Sequence, residues 1–158
     1  MVAMSIICFK NNIVAADTSA NMGNTVFNDG GKLYKTSKYI IGGVGSTLNV
    51  IRFVSSYEHL KNEWDCGRIP SDLDKILVEG ENNSFDAFVF YKDKVFLWDT
   101  FLTPVPLLED YFAIGSGGEL ALGALAAGAD PVTAVEVAIR FNRNCNGKVE
   151  WVDRRDLN

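Results

Sequence analysis

Ile13-Val14-Ala15-Ala16-Asp17 is the stretch on which the fold turns. Val14, Ala15 and Ala16 in succession leave no polar face, which fits a strand buried on both sides better than one half-exposed to water. Just upstream, Ser5 to Phe9 is a second β-rich run, separated from it by Lys10-Asn11-Asn12, where asparagine can take the left-handed position of a hairpin loop. Downstream comes a loop containing Asn21, Gly23, Asn24 and Asn28 to Gly31, then short strands at Lys32 to Thr36 and Tyr39 to Val44. Leu48 to Lys61 and Ser71 to Val78 carry helical spacing, the second with Ser71 as N-cap after Pro70. Strand patterns return at Ser84 to Tyr91, Lys94 to Asp99 and Tyr111 to Ile114. Gly115-Ser116-Gly117-Gly118 then leads into an alanine-rich helix ending near Gly128. A last helix opens at Asp130-Pro131 and runs to about Asn142, and Lys148 to Val152 closes as a strand.

Strands, two helices, strands, two helices and a strand make an α+β order, not alternating βαβ units. Two antiparallel sheets stacked face to face, with a helix pair on each outer side, would bury both sheet faces. The expectation is therefore a four-layer αββα sandwich in one domain spanning residues 1–158, a length that one core can fill.

Composition narrows the function. Hydrophobic residues make up 47% and charged residues 22%, as in globular chains, which argues against a disordered or fibrous protein. Fifteen Lys and Arg against twenty Asp and Glu give a net charge of -5, which argues against nucleic-acid or membrane-surface binding. No apolar run reaches the ~20 residues that span a bilayer, and Met1 to Phe9 lacks a basic, apolar leader pattern. Cys8, Cys66 and Cys145 form an odd set without a Cys-x-x-Cys pair, which suits a reducing cytoplasm and no structural metal. The single histidine, His59, sits among Tyr57, Glu58, Lys61 and Asn62, as on a helix surface. A hydrolase built on this chain would take its base from elsewhere.

Five segments, in order, carry a family resemblance: Ile13-Val14-Ala15-Ala16-Asp17, Met22-Gly23-Asn24-Thr25-Val26, Lys32-Leu33, Ile41-Gly42-Gly43-Val44-Gly45-Ser46-Thr47 and Ala113-Ile114-Gly115-Ser116-Gly117-Gly118. In order and spacing they resemble bacterial HslV and proteasome β subunits across nearly the whole chain. The resemblance implies the αββα fold of N-terminal nucleophile hydrolases, amide-bond hydrolysis without a cofactor, a homo-oligomeric ring, unfolded protein or peptide as substrate, and an ATP-dependent unfoldase as partner. In such chemistry the α-amine of the first residue is the base for its own hydroxyl; with a pKa near 7.7–8.0 it is partly neutral at pH 7, so no histidine is needed.

By this resemblance Lys32 is the ammonium that lowers the hydroxyl pKa and Asp17 the carboxylate that holds it. Gly45 is the oxyanion glycine and Ser116 supports the amine. Asn144 stands where the family has an aspartate, and Gly147 where it has a serine. Ala20, Gly30, Gly43 and Thr47 match the specificity pocket and carry no charge. The nucleophile is expected at Ser5, the hydroxyl nearest the start, exposed if translation begins at Met4 and that methionine is removed. A three-residue loop at Lys10 to Asn12 would put Ser5, Ile7 and Phe9 on one face with Ile13, Ala15 and Asp17, and this is the expected register. A two-residue Asn11-Asn12 loop would give that face to Met4, Ile6 and Cys8 instead. Cys8 and Cys145 are expected to be small buried residues. Other readings are a catalytically inactive ring or scaffold subunit, which Met1 to Met4, Asn144 and Gly147 would suit, and a small-molecule amidohydrolase of the same fold.

Overall fold

The computed structural model describes residues 5–22, 25–27, 31–80 and 83–157. Eleven strands and four α-helices are assigned among them. In chain order they are β1 (Ile6–Lys10), β2 (Ile13–Asp17), β3 (Ala20–Met22), β4 (Thr25–Phe27), β5 (Leu33–Lys35), β6 (Tyr39–Gly45), α1 (Thr47–Asp65), α2 (Leu73–Ile76), β7 (Phe85–Tyr91), β8 (Lys94–Asp99), β9 (Val105–Leu107), β10 (Tyr111–Gly115), α3 (Gly118–Ala126), α4 (Pro131–Phe141) and β11 (Val149–Asp153).

Two antiparallel sheets result, in the orders β10-β1-β2-β11 and β5-β6-β7-β8-β9, with β3 and β4 as a separate hairpin. Ile7, Phe9, Val14 and Ala16 of the first sheet meet Ile40, Val44, Phe88 and Phe90 of the second. Phe9 stands edge-on to Phe88 and Phe90, with ring centroids 5.2 and 5.3 Å apart, so three rings tie the sheets together. The outer face of the first sheet presents Ile6, Cys8 and Ala15 to α3 and α4. That of the second presents Ile41, Ala87, Val89 and Trp98 to α1 and α2. The expected α+β sandwich, with helices outside two stacked antiparallel sheets, is thus the architecture observed. No helix among the described residues is long and apolar enough to cross a membrane.

The caps follow their chemistry. Asp130 accepts the Thr133 N–H (2.8 Å) ahead of Pro131, and Ser46 accepts the Asn49 N–H (3.3 Å) at the start of α1. Asn49, fully buried, donates Nδ2 to the carbonyls of Val78 (2.9 Å) and Asn83 (2.6 Å) and accepts the Val78 N–H (2.9 Å).

Four expectations change. The first hairpin has the two-residue loop: Lys10 pairs with Ile13, Cys8 with Ala15 and Ile7 with Ala16, and Asn11 takes a φ of 53°. Ile6, not Ser5, therefore falls in line with Asp17. Both faces of β1 are apolar and buried, so alternation carries no information about register. The helix read over Ser71 to Val78 is the single turn of α2, and Ser71 does not cap it. Ile76 enters the core, and Asn49 then holds Val78 by its backbone. The stretch read as loop contains β3 and β4. β9 was not foreseen because Pro106 interrupts its pattern, which an edge strand tolerates.

Candidate active site

Asp17, at the end of β2, is fully buried. Its Oδ1 pairs with Lys32 Nζ and accepts the Ile6 N–H (3.1 Å). Its Oδ2 accepts the Ser19 hydroxyl (2.6 Å) and the Asn146 N–H (3.2 Å). Four donors thus fill the acceptor capacity of one carboxylate, which is how a buried anion is held.

Lys32 is 8% exposed, and its own backbone is fixed from two sides. Its N–H donates to Glu150 Oε1 (2.5 Å), which also accepts the Leu33 N–H (3.1 Å), while its carbonyl accepts the Gly43 N–H (3.4 Å). Glu150 lies on β11, so the first sheet reaches across to β5 and sets the stem from which the ammonium extends. Burial holds the Lys32 pKa below the ordinary lysine value, with the Asp17 charge acting in the opposite direction. Burial pushes the Glu150 carboxyl up.

Ser5 is 7% exposed and immediately precedes β1. Its N–H donates to Ser116 Oγ (3.2 Å), and that hydroxyl donates back to the Ser5 carbonyl (3.3 Å), which also accepts the Gly117 N–H (3.3 Å). The close contact depends on Gly115: with a φ of +103°, a Cβ there would lie 2.2 Å from the Ser5 oxygen. Ser116 is steadied in turn by Asn142, whose Nδ2 donates to the Ser116 carbonyl (2.8 Å), and Cys145 Sγ lies 4.0 Å from its hydroxyl. Every backbone group of Ser5 and the N–H of Ile6 are therefore held, one end by Ser116 and the other by Asp17. The arrangement fixes the Ser5 nitrogen on Ser116 and the adjoining Ile6 N–H on a buried ammonium–carboxylate pair.

Comparison with solved structures gives the same architecture. Eukaryotic HslV from Trypanosoma brucei superposes with a TM-score of 0.68 at 20% identity, over 94% of this chain and 97% of that one. The chain has the HslV fold. Thiobacillus denitrificans BPH, solved in complex with epoxomicin, matches with a TM-score of 0.64 at 16% identity, over 94% of this chain and 96% of that one. No family model and no curated protein sequence matches the chain.

Within the HslV fold, the sequence-derived residues fall into four groups. Ser5, Asp17, Lys32 and Ser116 converge through the bonds just described. Gly43, Gly45 and Thr47 lie along the end of β6 and the start of α1, joined to Lys32 through the Gly43 N–H. Gly43 also has a packing reason to lack a side chain, because a Cβ there would lie 2.5 Å from Val50 Cγ1 of α1. Gly45 is half-buried with a φ of +102°. Asn144 stands one step away: its N–H donates to Asn142 Oδ1 (2.8 Å), and it is Asn142 that reaches Ser116. Ala20 opens β3, while Gly30, like Met1 to Met4, lies outside the described residues.

Sequence reasoning did not single out Ser19, Asn142, Asn146 or Glu150. Glu150 could have been noticed as a charge inside a closing strand; the other three belong to loops whose direction the sequence does not encode. Cys8 and Cys145 are buried free thiols, as expected, and burial raises their pKa values to about 12 and about 11. His59 is exposed on α1, 3.1 Å from Asp72.

Proposed function

We propose that the chain is an HslV-like peptidase subunit that cleaves peptide bonds of unfolded proteins through Ser5 as an N-terminal nucleophile. One observation carries the reading: the backbone nitrogen of Ser5 rests on Ser116 Oγ at 3.2 Å, while the next backbone N–H rests on the Asp17 carboxylate that pairs with Lys32. In a chain whose first residue is Ser5, that nitrogen is an amine. It takes the proton of the Ser5 hydroxyl as Oγ attacks the scissile carbonyl carbon, and the Lys32 ammonium favours the developing alkoxide. The Gly45 N–H receives the oxyanion. Collapse passes the proton to the leaving amine and leaves an ester on Ser5, which water hydrolyses with the same amine as base.

In the chain that begins with Met1, the Ser5 nitrogen is a peptide nitrogen and cannot act as a base. Near the positions where the family has an aspartate and a serine, here Asn144 and Gly147, Asn142 donates to the Ser116 carbonyl and the Asn146 N–H to Asp17, which hold the two groups that the Ser5 and Ile6 nitrogens rest on. The proposal includes a homo-oligomeric ring, delivery of unfolded chains by an ATP-dependent unfoldase, a cytoplasmic location, and a pocket formed around Ala20, Gly30, Gly43 and Thr47 that favours uncharged residues. The test is hydrolysis of a fluorogenic peptide by a chain beginning at Ser5, with native mass measured on the same sample. Turnover that vanishes in Ser5→Ala, in a multi-subunit particle, is the expected result. A ring without turnover would make the chain a scaffold subunit, and turnover by a monomer would favour a small-molecule amidohydrolase.

A further inference from the structure

On the helix-facing side of the second sheet, away from Ser5, the last turns of α1 and the β7–β8 hairpin line a partly open cavity of about 190 Å³. Trp64 of α1 and Trp98 of β8 both line it, and the indole N–H of each is buried without a hydrogen-bond partner. Trp98 is 3% exposed. An indole nitrogen can only donate, so whatever satisfies these two groups must bring acceptor atoms. Among the described residues no other side-chain nitrogen or oxygen except Arg154 Nε is buried and unpaired, so two such donors on one cavity stand out.

The charge at the same place has one sign. Lys61, Lys92 and Lys94 line the cavity against the single carboxylate of Asp65, which is already bound to Lys61 at 2.7 Å. Lys92 and Lys94 form no ion pair among the described residues, and the Lys61 and Lys92 ammonium groups gather 4.6 and 5.3 Å from the centre of the Tyr91 ring. The chain as a whole carries -5, so this local excess of cations runs against its overall charge. Tyr91 and Phe96 line the same cavity as Trp64 and Trp98, so its walls are largely aromatic. An apolar cavity of about 150 Å³ holds one benzene molecule, so this cavity has room for a single ring and a carboxylate.

We propose that the cavity binds a small monocarboxylate built on one planar ring. The ring packs between the aromatic walls, and the carboxylate accepts from the Trp64 and Trp98 indoles with Lys92 and Lys94 beside it. The site shares no residue with the Ser5 cluster and does not rest on the proposed peptidase activity.

Benzoate is the probe, titrated into the full chain with ¹⁵N-labelled tryptophan. The sequence has three tryptophans, and the third, Trp151, is 56% exposed on β11 and serves as the internal reference. The Trp64 and Trp98 indole signals should shift saturably while Trp151 stays in place. Benzyl alcohol, which keeps the ring without the charge, and acetate, which keeps the charge without the ring, should each bind at least about tenfold more weakly. Trp64→Phe, which keeps an aromatic wall but removes a donor, and the exposed pair Lys92→Gln with Lys94→Gln should each weaken benzoate about tenfold. The proposal is overturned by unmoved Trp64 and Trp98 signals, by benzyl alcohol or acetate binding as well as benzoate, or by all three indoles moving together.

Discussion

Replacing Lys32 by methionine removes an ammonium and keeps most of the stem that fills the same space. Breaking a buried ion pair from one side costs about 3–5 kcal/mol, because the partner is left charged and out of water. Asp17 is fully buried, yet it keeps three other donors, the Ile6 N–H, the Ser19 hydroxyl and the Asn146 N–H. Those bonds place Lys32→Met at the low end, about 3 kcal/mol. Asp17→Asn leaves the nearly buried ammonium without its bonded carboxylate, with only the more distant Glu150 charge acting on it, and should cost about 2 kcal/mol. In the double variant neither charge remains, and the total should fall short of the sum by about 2 kcal/mol, the coupling of the pair. Urea unfolding of the four proteins at pH 7 reads these differences directly. The pair also predicts a pH dependence. The folded-state pKa of Lys32 lies below its unfolded value of 10.5, so between the two the unfolded chain binds more protons, and stability rises with pH across that window. Lys32→Met should remove that rise. Additive single effects, or an alkaline limb unchanged by Lys32→Met, would refute the buried pair.

Three further outcomes follow from the same geometry. Gly115→Ala puts a methyl group against the Ser5 carbonyl at a φ of +103°, and should destabilise by about 2–3 kcal/mol in urea and abolish peptide turnover in a chain starting at Ser5. Glu150→Ala leaves the Lys32 and Leu33 N–H groups without their acceptor and should cost about 2 kcal/mol; its kcat should drop and Glu150→Gln, which keeps one acceptor oxygen, should recover part of it. Asn49→Ala frees the Val78 and Asn83 carbonyls and should cost about 2–3 kcal/mol, with hydrogen exchange accelerated first at the Val78 amide.

How much of this was legible in the sequence depended on what each signal encodes. Val14-Ala15-Ala16 fixed a strand buried on both faces, and the block order of strands and helices led from it to two stacked sheets. The same double burial concealed the hairpin register, because moving Ser5 or Ile6 into line with Asp17 exchanges one apolar face for another. The Asp130-Pro131 start of α4 was readable because the cap is local, while the chain just after the single turn of α2 is held at Val78 by Asn49, distant in sequence. At the site, the resemblance brought Asp17, Lys32 and Ser116 together. It did not reach Asn142 or Asn146, whose contacts depend on how the loop before β11 turns, nor Glu150, whose partner is the backbone of another sheet.

The central claim is that the Ser5 hydroxyl becomes the covalent nucleophile when its own amine is free. Mass spectrometry of a chain beginning at Ser5, quenched during turnover of a slowly deacylating peptide ester and then fragmented, locates the acyl group. The account predicts an ester on Ser5, absent from Ser5→Ala and from the chain that begins at Met1. An acyl group on Cys8, Cys145 or any other residue, or an equal yield from the chain that begins at Met1, would contradict it.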